Sequence, residues 1–346
     1  MKAVRTRPER PEELLSQAAE RELAGDWDAA DSLYRAAFQR AAREEKCETL
    51  VKVVRKQAVV RGRRGLTEEA EDLAYLAYEI ADRCGDGPAA ARLLGVLGFL
   101  RYSVEDFPGA RDFYERSLAR ARLESADEVI GIVCMNLGVL ANIRGDLAEA
   151  RMLYLESIGA TVRSDDRRIA TMAYNNLGKV CTHLGEWLEA DLYFSRGIEI
   201  AETIEDRPLL ARLHGNHAEP LIATGDYAGA HRALEAAEAL VGPEAEAVVL
   251  SPLARMRSRL ARKEGRLEDA ERAAQQALEI ARSRGLPLEQ AQALEERAQL
   301  HREMGRAGDA YADLREALAG YRSVEAVRDA ERVEAFIRKL PETGEE

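Results

Sequence analysis

The chain has 346 residues, more than one hydrophobic core of ordinary size accommodates, so it holds either several domains or an elongated array. Aromatic residues make up 5%, charged residues 32% and apolar residues 46%, with Ala, Leu, Glu and Arg dominant. That is the usage of helices packed through small side chains, and it argues against a β-rich fold. A net charge of −12 argues against a general nucleic-acid binder.

The first residues, Met1 to Pro11, are basic and lack an apolar stretch, and no run of eighteen uncharged apolar residues follows anywhere. Neither a signal peptide nor a transmembrane helix is predicted, which points to a cytoplasmic protein. Cys47, Cys84, Cys134 and Cys181 lie 37, 50 and 47 residues apart and form no CxxC pair. The spacing predicts buried reduced thiols rather than a disulfide framework or a zinc site.

A turn of the form Gly-Asp-x-x-x-Ala recurs along the chain. It is seen at Gly25 with Ala30, Gly145 with Ala150, Gly185 with Ala190, Gly225 with Ala230, Gly265 with Ala270 and Gly305 with Ala310. Every interval is 40 residues or a multiple of it, and Gly65 with Ala70 and Glu105 with Ala110 fill the gaps. Seven residues before each turn stands a small side chain: Ala18, Ala58, Gly98, Gly138, Gly178, Ala218, Ser258 and Ala298. Helices approach closely only where neither carries bulk. Leu33, Leu73, Phe113, Leu153 and Tyr193 eight after the turn, and Phe38, Tyr78, Leu118 and Ile158 thirteen after it, extend one buried stripe.

Each unit therefore predicts helix A, a tight turn and helix B. In chain order the pairs are 9–24 with 27–44, 47–63 with 67–83, 88–104 with 107–123 and 126–143 with 147–163, then 166–184 with 187–204, 207–224 with 227–240, 244–264 with 267–284 and 287–304 with 307–323. Breakers and caps separate them, as in Cys84-Gly85-Asp86-Gly87-Pro88 and Gly285-Leu286-Pro287. Val327, Ala330, Val333, Ile337 and Leu340 predict a C-terminal capping helix over 325–340, which an array needs to cover its last stacking face. The chain thus divides into a basic lead (1–10), eight 40-residue units (11–330), and the end of the cap with an acidic tail (331–346).

With the small residue, the turn and the Ala in these positions, the sequence resembles the tetratricopeptide repeat family over nearly its whole length. Asn176-Leu177-Gly178 with Gly185-Glu186-Trp187-Leu188-Glu189-Ala190 and Phe194 carries the resemblance best. The unit is 40 residues rather than the usual 34, like the long-unit variant of signalling scaffolds, kinesin light chains and bacterial sensor arrays. The resemblance implies an all-α, right-handed superhelical solenoid of eight helix-turn-helix repeats, with helix A on the concave face and a role in binding other proteins.

Nine residues before the turn the array reads Ser16, Lys56, Val96, Asn136, Asn176, Asn216, Met256 and Glu296. Asn offers a donor and an acceptor on a short stem, enough to hold the N–H and C=O of an extended backbone. Long-unit members of the family use such an asparagine ladder, which the resemblance carries onto Asn136, Asn176 and Asn216. The alternative is that these amides bond neighbouring helices. The same helices offer Asn142, Asn175, Lys179 and Arg212, with Lys52, Arg55, Lys56 and Arg63 toward one end and Arg255, Arg259, Arg262 and Lys263 toward the other. Acidic residues gather on helix B, so the groove suits an acidic peptide, unless these cations pair with Glu of the next repeat.

The expected function is a non-enzymatic scaffold that binds an extended segment of a partner protein. Two other classes stay open. One is a peptide- or ligand-responsive sensor acting on a second protein. The other is nucleic-acid binding through 46–64, where Lys46, Lys52, Arg55, Lys56, Arg61, Arg63 and Arg64 face one acid, Glu48. No P-loop, GxGxxG, HExxH or GxSxG motif occurs, and no cofactor is expected. His214 and His217 read as core substitutions rather than metal ligands. Pro220 is expected to kink its helix, and the first helix could mediate a homodimer.

Overall fold

The computed structural model describes residues 10–44, 46–241, 247–324 and 326–338. Among these residues there are seventeen helices and no strand. The odd-numbered helices are α1 (Pro11–Leu23), α3 (Cys47–Arg63), α5 (Gly87–Ser103), α7 (Asp127–Ile143), α9 (Arg167–Leu184), α11 (Arg207–Thr224), α13 (Ala247–Lys263) and α15 (Pro287–Glu303). The even-numbered ones are α2 (Trp27–Arg43), α4 (Thr67–Arg83), α6 (Phe107–Leu123), α8 (Leu147–Ser164), α10 (Trp187–Ile204), α12 (Tyr227–Leu240), α14 (Leu267–Ser283) and α16 (Ala307–Ser323), with α17 (Val327–Ile337) last. The even-numbered helices from α2 to α16 begin forty residues apart.

Local chemistry explains these boundaries. Asp26, Asp106, Asp146 and Asp226 stand just before helix B and each accepts a hydrogen bond from a first-turn N–H, Gly109 N to Asp106 at 3.0 Å being one case. The turn residue ahead of the cap is left-handed, with Gly145 at φ 81°. Glu105, standing where the other units have Gly, is forced to φ 62°, a conformation that costs a side-chain-bearing residue about 1 kcal/mol.

Helix A meets helix B through a ring seated on a glycine. A Cβ on Gly138 would lie 2.6 Å from the Tyr154 ring, and one on Gly98 2.6 Å from that of Tyr114. Gly178 repeats the arrangement against Phe194. These rings, nine residues after the turn, are almost wholly buried, whereas Leu33, Leu73, Leu153 and Tyr193 one position earlier are only half-buried. Where the small residue is Ser258, its hydroxyl donates to Ala270 O at 2.9 Å across the same contact.

The chain forms two compact units, Met1–Ile169 and Ala170–Glu346. In the first, α1, α3, α5 and α7 touch in succession, and in the second α11, α13 and α15 do. Consecutive even-numbered helices make no comparable contact. The odd helices therefore line the tighter, concave side of each unit and the even helices its outer side.

Several expectations change at this level. Cys47 and Cys84 are not buried thiols: they are exposed and joined in a disulfide across the α3–α4 hairpin, with Cα atoms 6.6 Å apart. Forty-residue phasing puts Cys47 at the first residue of one helix and Cys84 just past the end of its neighbour. Cys134 and Cys181 are buried and free, and burial pushes the Cys134 thiol up to about 12. Pro220 stands inside α11, whose helical span runs from Arg207 to Thr224 on both sides of it. The cap α17 buries Ala330 and Val333 but leaves Val327 exposed. Residues 1–9 of the basic lead, Gly242-Pro243, Leu340 and the acidic tail lie outside the described residues.

Candidate functional site

In the first unit the expected cations are mostly engaged. Lys52 bonds Glu48 at 2.6 Å, Lys56 reaches Glu22 at 3.2 Å, and Arg63 lies over the Trp27 ring, 5.6 Å from its centre. Lys46, Arg61 and Arg64 pair with Glu12, Asp31 and Asp28. Apart from Glu48 on α3 itself, these acids come from α1 and α2, close in space but far in sequence, so the cationic count over 46–64 does not describe a bare basic surface. Among the described residues Arg55 alone of these seven has neither an ion pair nor a ring contact, and burial, followed by repulsion from Arg92, depresses its pKa. Asn136 is half-buried on α7, and Asn142 keeps a buried Oδ1 without a partner.

The second unit holds the denser arrangement. Asn216 Nδ2 on α11 donates to Asn175 Oδ1 on α9 at 2.9 Å, and Asn175 Nδ2 donates to Asn176 Oδ1 at 3.3 Å. Asn175, nearly buried, is thus the link between Asn176 and Asn216, a role the register of every ninth residue does not reveal. The chain of amides ends in two open groups, the Asn176 Nδ2 donor and the Asn216 Oδ1 acceptor. Pro220 adds a third, since it has no N–H to bond the Asn216 main-chain carbonyl one turn earlier.

Next to the amides runs a line of alternating charge. Arg259 on α13 pairs with Glu219 on α11 and, at 2.9 Å, with Glu296 on α15. Arg262 donates to Glu296 at 2.8 Å, to Glu303 at 2.6 Å and to Gln299 at 3.0 Å. Burial pushes the Glu219 and Glu296 carboxyls up, but the adjacent guanidiniums, Arg259 foremost, leave both below the ordinary glutamate range. Arg259 and Arg262 are thus both engaged in ion pairs within the stack.

Lys179 on α9 and Arg255 on α13 are different. Neither has a carboxylate within ion-pair distance among the described residues. Solvent reaches Lys179, yet protein surrounds it, and desolvation followed by repulsion from Arg212 and Arg255 holds its ammonium below the usual lysine range. Desolvation followed by Arg259 does the same to half-buried Arg255. His183, one turn after Lys179, is lowered by burial and then by Lys179. A cavity of about 550 Å³ adjoins the line of charge, walled by Trp187, Ile222, Tyr227, Arg259 and Lys263. His217 bonds Asp191 at 2.6 Å, and among the described residues no group of three His, Cys, Asp or Glu could hold a metal ion.

Paired helices repeated at forty residues, with small-residue contacts and an inner face of odd helices, define a helical-repeat protein. The tetratricopeptide repeat family model matches residues 45–122 and 132–203. Over those two stretches the chain is similar to the tetratricopeptide repeat family. No curated protein matches it. Among solved structures it is similar to a Rap protein complexed with competence and sporulation factor, at 13% identity and TM-score 0.56, over 95% of this chain and 97% of that one. Aspartyl phosphate phosphatase F from Bacillus subtilis matches at 15% identity and TM-score 0.58, over 81% and 71%. A STAND signal-transduction ATPase with a tetratricopeptide repeat sensor from Pyrococcus horikoshii matches at 15% and 0.60, over 95% and 49%. At these identities the likeness is one of fold. Such a fold supports a protein–protein interaction scaffold, and among the described residues no helix is long and apolar enough to cross a membrane.

Proposed function

We propose that the chain is a non-enzymatic scaffold whose second unit holds an extended acidic segment of a partner protein along α9, α11 and α13. The observation that carries this reading is the contrast between Lys179 and Arg255, which lack carboxylates, and Arg259 and Arg262 beside them, which are fully engaged. A stack built only for stability would pair all four. The open Asn176 donor and Asn216 acceptor match the C=O and N–H of one extended peptide group and are indifferent to its side chain. The cavity beside Trp187 and Tyr227 offers room for one large side chain of the same segment. A Rap protein of similar fold is complexed with a factor, which supports a ligand-holding role for such an array. In the first unit, Asn136 and Arg55 are the corresponding candidates.

The test is fluorescence polarisation with a labelled, degenerate nine-residue peptide library of mixed Asp and Glu content against a neutral library. The acidic library binds the native chain more tightly, and Asn176→Ala with Asn216→Ala weakens it at least tenfold while the circular dichroism stays unchanged. Equal binding of acidic and neutral libraries, or unchanged affinity in the double variant, refutes the assignment.

A further inference from the structure

The outer side of the first unit carries one helix unlike the others. Along α8, Ala148, Met152, Leu155, Gly159 and Val162 follow one another at steps of four, three, four and three residues, the spacing of an apolar seam for a second helix. They fall within a sector about 80° wide. The larger ones face solvent: Met152 is 72% exposed, Leu155 44% and Val162 73%. At the same five positions after the turn, every other even-numbered helix from α2 to α16 carries at least two charged residues, such as Asp112, Glu115 and Arg122 on α6. Those positions of α8 carry none. Gly159 is a second, independent sign. Gly98, Gly138 and Gly178 each make room for a ring of their own unit, whereas a Cβ on Gly159 would meet only the Arg163 guanidinium, at 3.8 Å. Nothing inside the chain calls for glycine there, although glycine is second only to proline in weakening a helix interior.

We propose that this seam pairs two copies of the chain, α8 against α8, antiparallel about a two-fold axis at Leu155. A two-fold interface has to complement itself. Reversed upon itself the seam does so: Ala148 falls opposite the partner's Val162, Met152 opposite the partner's Gly159, and Leu155 opposite its own counterpart. Every layer off the axis then sets a large side chain against a small one, which lets the helix axes approach to about 8 Å. Parallel pairing would set methionine against methionine and glycine against glycine, so the sizes select the antiparallel arrangement. Glu149 and Arg163 lie on one flank near opposite ends of α8, and reversal brings opposite charges together at both ends. Each already has partners in its own chain, Glu149 with Arg111 and Arg144 and Arg163 with Asp127, so these rim contacts set direction more than affinity. Glu156 from each copy flanks the axis with its charge already held by Arg122 at 2.6 Å. The pairing uses no residue of the inner face and does not depend on a bound peptide.

Sedimentation equilibrium of the full chain between about 5 and 400 μM is the test. Monomer and dimer are expected in exchange, with a dissociation constant in the micromolar range that a single helix pair supports. Met152→Lys, at an exposed position, is expected to weaken the dimer at least tenfold with circular dichroism and melting temperature as controls for folding. A size swap tests the register. Gly159→Met alone sets two methionines against each other and is expected to weaken the dimer at least tenfold, whereas Gly159→Met with Met152→Ala restores it to within threefold of native. A chain that stays monomeric over the whole range overturns the pairing and leaves the seam to a partner other than itself. A dimer unaffected by Met152→Lys lies on another surface and overturns the assignment to α8. Failure of the swapped pair to recover overturns the antiparallel register. Should Met152→Lys disturb folding, Val162→Lys at the end of the seam decides, and an undiminished dimer there refutes the seam.

Discussion

Arg262 Nε donates to Glu296 Oε1 at 2.8 Å inside the second unit, and the two side chains are 3% and 1% exposed. Glu296 gives its other oxygen to Arg259, so one carboxylate on α15 bridges two guanidiniums on α13. Charges so well covered are tolerated only as a set. Glu296→Gln keeps the shape and leaves buried Arg262 and half-buried Arg259 facing a neutral amide, which is expected to destabilise the second unit by about 3–5 kcal/mol. Urea denaturation followed by the fluorescence of Trp187, the tryptophan of that unit, measures it, with Trp27 changed to Phe. A loss under about 1 kcal/mol would show that the ion pairs contribute no more than exposed ones do.

The same carboxylates set an acid limit. Glu219 and Glu296 both titrate below the ordinary glutamate value of 4.5 in the folded chain. A group with a depressed folded pKa binds more protons when unfolded, so its stabilisation is complete above the unfolded value and is lost as pH falls through the folded one. The second unit is therefore expected to lose stability below pH 4.5, and Glu296→Gln to flatten that dependence. Denaturation midpoints for native and variant chains between pH 3 and 6 give the comparison. A midpoint equally steep in the variant would assign the acid sensitivity to other groups.

The periodic parts of this molecule were open to reading from sequence because each rests on contacts repeated at a fixed spacing. The turns, the helix pairs and the glycine column all follow from close helix approach every forty residues. Residues whose role depends on a neighbouring unit's side chain were not open to that reading. Arg259 and Arg262 occupy the same inner face as Arg255, yet their acids, Glu219, Glu296 and Glu303, lie 34 to 41 residues away, and only the register of side chains says which cation is left over. Asn175 was legible as a polar residue beside the ladder, but not as its bridge. Likewise Cys47 and Cys84, 37 residues apart, meet because one phase of the repeat separates a helix start from the next helix end.

Lys179 is expected to be a residue whose presence harms stability and serves binding. Its folded pKa is lowered by desolvation and by Arg212 and Arg255, so the charged form is less favoured in the folded chain than in the unfolded one. Lys179→Met removes the repulsion and keeps the aliphatic stem. The variant should be more stable by about 0.5–1 kcal/mol, a modest figure because solvent reaches the ammonium. Thermal melts and the acidic-library titration belong together here: a higher melting temperature with weaker binding is the expected pair. A variant that is less stable, or that binds as before, contradicts the role given to this side chain.

The disulfide between Cys47 and Cys84 closes a loop with a sequence separation of 37 residues, and the α3–α4 hairpin it spans is already held by Ala58, Ala70 and Ala74 in one buried cluster. Its stabilising effect therefore arises in the unfolded chain, which it forbids from expanding. The chain-entropy relation gives about 4 kcal/mol for a loop of this length. Reduction is expected to lower the stability of the first unit by up to that amount and to leave the second unchanged, because Cys134 and Cys181 are free. Trp27 reports on the first unit when Trp187 is changed to Phe, and Cys47→Ser serves as the control that no longer responds to reductant. Thiol titration of the denatured chain should count two free thiols before reduction and four after. Four thiols in the purified, unreduced protein would remove the disulfide, and an unchanged urea midpoint on reduction would show that the hairpin is no freer to open without it.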